Sequence, residues 1–271
     1  MSEYNWHNYK IIALGKFEPN SIEIELTSNR RETNPIVEKA IEQSWQDATK
    51  GRIGVGLLPF RSTTVYRLES AQAVENALKL VIGEVEFREL QGTNATNPIL
   101  GDIFGSNFLA NGMLVQGLIK TNDGNFIFGK RNDGERVGYE KLAIFGGSLE
   151  KENELSGKKE GVVIKDSSDI FEMMRQEIRD ELGVKDESIE SIKLVSLFQD
   201  WKYYPVLLFQ IELNLSPIDL NDIFKGHVTD EHNGIEFMSS EMLETEIETT
   251  EERFSDLTLA SLEILSKSSP E

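Results

Sequence analysis

The chain has 271 residues, no cysteine, and 28 Lys and Arg against 47 Asp and Glu, a formal net charge of −19. Lack of cysteine excludes disulfides, thiolate zinc sites, cysteine nucleophiles and iron–sulfur clusters. The acidity argues against nucleic acid and anionic lipid as partners, because the long-range field repels polyanions; a small anion needs a local basic cluster or a bound cation. Hydrophobic residues at 39% suffice for a packed core. The length allows one large domain or two modest ones. The first residues, MSEYNWHNYK, lack a cationic stretch followed by an apolar one. No apolar run approaches the roughly 20 residues of a membrane span, so a soluble, cytoplasmic protein is expected.

In chain order, Ser21–Leu26 alternates apolar and acidic residues, as a half-buried strand does. Asn34-Pro35 opens a helix with a cap and a first-turn proline, and Val37, Ile41 and Trp45 form its apolar stripe. Residues 63–69 and 79–90 read as strands, and the polar stretch 91–97 breaks the pattern. The expected division is an N-terminal α/β module over 1–95 and a second domain over 96–271. Strand 112–120 turns through Asn122-Asp-Gly124 into strand 125–130, a hairpin signal. Lys141–Ile144 is strand-like, and the polar stretch 148–168 reads as a loop. A helix follows at 169–182, then strands at 192–198 and 203–213. Short helices are expected near 218–225 and 239–246, and a last helix near 250–266.

The helix at 169–182 carries the most chemistry. Ile170, Met174, Ile178 and Leu182 share one side, widened by Phe171. Glu177, Asp180 and Glu181 stand at i, i+3 and i+4, so three carboxylates gather on a neighbouring face. Asp169 and Glu172 have the spacing of a capping box, and Gly183 supplies a C-cap. Like charges at this spacing repel, and a hard divalent ion turns that penalty into a site, since Mg²⁺ and Mn²⁺ prefer carboxylate oxygens. A solvated acidic face is the plain alternative. Upstream, Gly146-Gly147 ends a strand-like segment and lets the backbone turn sharply beside a ligand.

Together, Gly146-Gly147 and Gln176-Glu-Ile-Arg-Asp-Glu-Leu-Gly-Val184 resemble the signature of the Nudix hydrolases, G-x5-E-x7-R-E-U-x-E-E-x-G-U with U aliphatic. Glu177, Ile178, Asp180, Glu181, Gly183 and Val184 fit, with Asp for the first Glu of the pair. Gln176 replaces the family's Arg and Ser168 its Glu, two residues that brace the loop in the family. Losing both partners is far cheaper than losing one. Phe145 stands where the family has Pro, and 15 residues are inserted between Gly147 and Gln176. The resemblance implies an α/β/α sandwich with mixed sheets, flanked here by the smaller N-terminal α/β module. It implies Mg²⁺ or Mn²⁺ held by Glu177, Asp180, Glu181 and the Gly147 carbonyl, with Glu177 and Glu181 indispensable. The words Glu89-Leu-Gln-Gly-Thr-Asn94, Gln176–Glu181 and Glu231-His-Asn-Gly-Ile-Glu-Phe237 look like the UDP-sugar-hydrolysing branch, which would make UMP and a sugar 1-phosphate. Thr93 and Asn94 then become candidate substrate contacts. Glu231 is the expected base or extra ligand, with Asp230 and Glu236 as rivals. The alternatives are another Nudix substrate (ADP-ribose, NADH or a nucleoside triphosphate) or a Nudix-fold module that binds a nucleotide without cleaving it. Oligomeric state is not legible.

Other motifs carry less. Gly124–Lys130 resembles a phosphate-binding loop, but Arg131 replaces its Ser/Thr and no helix follows. Lys130 and Arg131, at a strand end near the expected cleft, remain candidates to contact a diphosphate. Gly54-Val-Gly56 starts like a dinucleotide fingerprint but meets Pro59, which reads as a loop. His227 and His232 share no helical face and lack a third partner for zinc. His232 reads as a surface residue or a substrate contact. Trp201, Tyr203 and Tyr204 read as a strand-entry core cluster or as stacking partners for a base.

Overall fold

The computed structural model describes residues 7–50, 63–132, 141–151, 153–155, 158–227, 229 and 231–268. The Gly54 loop and Asp230 lie outside them. In chain order the elements are β1 (Lys10–Phe17), β2 (Ile22–Leu26), α1 (Pro35–Lys50), β3 (Thr64–Val74), β4 (Ala77–Glu86), α2 (Phe87–Leu90), a π-helical turn (Gln91–Ala95) and α3 (Ile99–Phe104). Then come β5 (Leu114–Lys120), β6 (Phe126–Arg131), β7 (Leu142–Ala143), β8 (Asn153–Leu155), β9 (Lys158–Glu160) and α4 (Ser168–Leu182). The chain continues with β10 (Ile189–Gln199), β11 (Pro205–Leu213), α5 (Pro217–Lys225), β12 (His232–Met238), α6 (Ser240–Thr250) and α7 (Asp256–Ser268).

The larger sheet runs β1-β10-β11-β5-β6-β12, with β7 on β6, and is mixed because β11 and β5 are parallel. Strand alternation feeds its two faces. Val115 and Ile119 of β5 and Leu207, Phe209 and Ile211 of β11 meet the apolar stripe of α4. Leu118, Val206 and Leu208 point the other way, onto Phe254 and the buried side of α7. Helices thus cover both faces, an α/β/α sandwich with mixed sheets. Gly117 admits α4: a Cβ there would lie 2.7 Å from Ile211 and 3.1 Å from the Met174 methyl. The smaller sheet, β2-β4-β3, contributes Tyr66, Leu68, Leu78, Leu80 and Ile82 to the α4-side core. Among the described residues, no helix is long and apolar enough to cross a membrane.

Several elements depart from expectation. The first strand, β1, pairs with β10 in the larger sheet, so residues before position 95 serve both sheets. Residues 87–90 are helical, because Glu86 and Glu89 cap each other reciprocally. The stretch 148–168 contains the β8–β9 hairpin and buries Leu149, Val162 and Ile164. The expected capping box of α4 is absent. Asp169 accepts the N–H groups of Lys165 and Asp166 upstream, and Glu172 pairs with Arg179 at 2.6 Å. The final helix starts later than expected, at Asp256, after a 3-10 turn at Glu251–Arg253 and the fully buried Phe254, while the helix before it runs on to Thr250. By contrast Asn34 caps α1 through Oδ1, accepting from Ile36 and Val37 N–H, and Gly124 turns β5 into β6 at φ +85°.

The polar words before residue 97 are structural brackets. Gly92 lies so close to α1 that a Cβ would fall 2.5 Å from the Ile41 Cα. Thr93 and Asn94 are fully buried. Thr93 Oγ1 donates to the Glu89 carbonyl at 2.7 Å and accepts from Ala110 N–H. Asn94 accepts the Asn111 N–H at 2.9 Å and donates to the Lys202 carbonyl at 2.8 Å. The expectation that Thr93 and Asn94 touch substrate is therefore replaced: their polar atoms are used in holding the 110–111 loop and the 200–204 turn. Asn94→Ala would leave two backbone groups unpaired, an expected loss of about 3 kcal/mol in urea unfolding.

That turn holds Tyr203 at φ +66°, with Asp200 Oδ1 accepting the N–H groups of Lys202 and Tyr204. Burial pushes the Asp200 carboxyl up to about 6, against the pull of those N–H groups and of Lys202. A folded-state pKa above the unfolded one stabilises at low pH, and the gain is lost as pH rises through the folded value. Relative to Asp200→Asn, wild type is expected to lose stability between about pH 4 and pH 6 and to hold a constant difference above that, measured by urea unfolding across pH.

Candidate active site

Helix α4 brings Glu177 and Glu181 to one face, one turn apart, against the Gly146–Gly147 loop. Two features of that loop fit it to them. The Gly146 N–H donates to Glu181 Oε2 at 2.9 Å. A Cβ on Gly147 would fall 2.8 Å from Glu177 Oε1, so the glycine lies flat against that carboxylate. The Gly147 carbonyl, expected as a metal donor, accepts the Val115 N–H at 3.0 Å; the loop touches the acids through Cα and an N–H instead. Gly146 itself is at φ +143° beside the Val115 carbonyl.

Glu181 is 4% exposed. Burial, and next the Glu231 carboxylate, push its carboxyl well above the usual range; the Gly146 N–H and Arg131 oppose this. Glu231 stands within hydrogen-bonding reach of Glu181. Burial, then the charges of Glu181, Glu231, Asp180 and Glu150, raise Glu177 as well. Glu231 also faces Arg131, at 3.9 Å. Asp180 is exposed and acts on Glu177 through its charge alone, while its carbonyl accepts from His227 Nε2 at 2.7 Å.

Strand geometry separates Lys130 from Arg131. Arg131 lies on the Gly129 side of β6 and acts electrostatically on Glu181 and His232. Lys130 points to the opposite side, paired with Glu236 at 3.1 Å. Glu236 in turn binds Arg253 at 2.8 Å. Lys130 is thus corrected from phosphate contact to surface ion pair, and Glu236 is spent in the same network.

The family's brace is not formed. Ser168 opens α4, about 12 Å along the helix axis from Gln176, and bonds Asp166. The inserted segment is tied to the smaller sheet: Tyr66 Oη donates to the Val162 carbonyl at 3.3 Å and accepts the Ile164 N–H at 3.1 Å. Ser167 Oγ donates to the Pro19 carbonyl at 2.5 Å.

Sequence reasoning missed His232. It is a buried residue, its ring edge-on to Phe145 at 5.1 Å, with Nε2 3.7 Å from Glu181 Oε1. Burial and then Arg131 hold its pKa down to about 4, opposed by Glu231 and the Lys130 carbonyl. The available signal was Gly129: glycine inside an apolar strand marks a close approach, and a Cβ there would fall 2.5 Å from His232 Nδ1.

Among the described residues, no three His, Asp or Glu side chains stand ready-made around one point for a metal ion. The donor chemistry nevertheless fits a hard cation. Burial and then the charges of neighbouring carboxylates, Glu231 among them, push the Glu177 and Glu181 carboxyls up, and the Gly146 N–H and Arg131 offset this at Glu181.

No family model matches the chain, and no curated protein matches it. Among solved structures it is similar to DR0079 from Deinococcus radiodurans at 16% identity, covering 56% of this chain and 82% of that one, with a TM-score of 0.39. It is also similar to the MutT protein from Methanosarcina mazei Go1 (15% identity, 59% and 96% covered, TM-score 0.35) and to a NUDIX hydrolase from Nitrosomonas europaea (14%, 58% and 88%, 0.35).

Proposed function

We propose that the protein is a divalent-cation-dependent Nudix hydrolase that cleaves the diphosphate of a nucleoside diphosphate-linked molecule, a UDP-sugar, to UMP and a sugar 1-phosphate. The observation that carries this reading is the placing of the partly buried Glu177 and the buried Glu181, one turn apart, against a two-glycine loop, with Glu231 arriving from a distant segment. Such groups resist ionisation unless a cation accompanies them. Glu177 and Glu181 would hold Mg²⁺ or Mn²⁺, with Glu231 and Asp180 near enough in charge to assist. When bound, the cation neutralises the diphosphate and lowers the pKa of water. Arg131, on the same side of β6, would meet a phosphate oxygen. Glu231 would accept the proton of the attacking water. A chain of net charge −19 needs that cation to bring an anionic substrate in.

The choice of a UDP-sugar rests on the resemblance of the words at 89–94, 176–181 and 231–237. The test is a product assay with the full chain and Mg²⁺ on UDP-glucose, ADP-ribose, NADH and nucleoside triphosphates. UMP and glucose 1-phosphate in equal amounts are expected. AMP from ADP-ribose or NADH, without UMP, overturns the UDP-sugar assignment alone. No product from any substrate, with nucleotide still bound, leaves the binding-module alternative.

A further inference from the structure

The buried His232 ring has no assigned task, yet its position is closely specified. Its side chain is 1% exposed and that of Glu181 5%. Among the described residues neither Nδ1 nor Nε2 makes a hydrogen bond of good geometry, although the Lys130 carbonyl lies close to the ring. Gly129 leaves room for the ring where any side chain would strike it, and Phe145 packs edge-on against it. The ring arrives at the start of β12, opposite Arg131, where the β12–β6 register shifts between His232 and Gly234. Leaving two imidazole nitrogens unpaired in the interior is costly, and an apolar ring would fill the same space without that cost.

What the ring faces explains its polarity. Glu181 Oε2 is held by the Gly146 N–H, while Oε1 looks at His232 Nε2 across 3.7 Å. We propose that His232 is a positioning residue for Glu181, its Nε2–H donating to Oε1 across the short gap between them when a cation is held there, so that the two carboxylate oxygens are fixed from opposite sides. The inference rests on the cation-binding reading above. It assigns the ring to metal affinity rather than to folding or to substrate contact. Groups that hydrogen-bond a ligating side chain typically change metal affinity by about 10–100-fold when removed.

The test reads Mn²⁺ binding by electron paramagnetic resonance and thermal melting, on wild type, His232→Phe, His232→Gln and Glu181→Gln. His232→Phe is expected to weaken Mn²⁺ binding about 10–100-fold while melting at or above the wild-type temperature. His232→Gln, which keeps an N–H donor, is expected to recover most of the affinity. If wild type binds Mn²⁺, Glu181→Gln does not, and His232→Phe binds like wild type, the positioning role is wrong and the cation site stands. If wild type does not bind Mn²⁺, or Glu181→Gln binds equally, the cation site itself fails, and this inference with it. A measurement independent of the variants is ¹⁵N NMR of the wild-type imidazoles with Mg²⁺ present, simplified by there being only three histidines. A proton on Nε2 of His232 is expected; a proton on Nδ1 alone overturns the proposal.

Discussion

Glu181→Gln is expected to lower Mg²⁺-dependent release of UMP from UDP-glucose roughly 10³-fold, the loss of several kcal/mol of transition-state stabilisation. The melting temperature should remain at or above that of wild type. The two halves of this result have one cause. Glu181 is buried beside Glu231 and gains only one backbone N–H, so in the cation-free protein its ionised form is a burden to the fold. Glutamine keeps an acceptor for the Gly146 N–H and removes the charge. On the proposed reading the cation loses an anionic ligand, while the fold loses an electrostatic cost. Turnover within a fewfold of wild type would show that the acids of α4 do not hold the cation. A collapse in stability would show that the carboxylate is a structural bond.

Gly146→Ala is expected to damage both properties. A Cβ at position 146 would fall 2.1 Å from the Val115 carbonyl oxygen and 2.9 Å from the Gln116 Cα, all backbone of the central strand β5. The local φ of +143° is also foreign to an L side chain. Backbone cannot rotate away as a side chain can, so β5 or the loop must shift. The expected cost is about 3 kcal/mol in urea unfolding. Activity should fall as well, because the shift withdraws the N–H that holds Glu181. Gly124→Ala makes the control: it also has positive φ, but its Cβ would meet nothing within 4 Å. It should cost only the local backbone strain, about 1 kcal/mol. Equal losses at the two positions would show that Gly146 is held by its φ alone and not by the close approach of β5.

Much of the fold was legible because its causes are local. The stripe Ile170, Met174, Ile178 and Leu182 is buried on α4 as its 3.6-residue period requires. The Asn34 cap and the Gly124 turn need only neighbouring backbone. Where chain-distant partners decided the conformation, reading failed. The final helix begins only after Phe254, which the far face of the sheet takes. Asp169 turns from its own helix because Lys165 and Asp166 offer N–H groups first.

For the site, the sequence alone determined that Glu177 and Glu181 share a face and that two glycines precede them, since helical periodicity depends on nothing else. Tertiary structure decided the rest. It placed Glu231 against Glu181, turned Arg131 rather than Lys130 toward Glu181, and made Thr93 and Asn94 brackets between distant segments. It also drew His232 out of an apparent surface loop into contact with Glu181. The physical reason is that which face of a strand meets a cleft, and which polar group finds a partner there, depends on pairing between segments far apart in the chain.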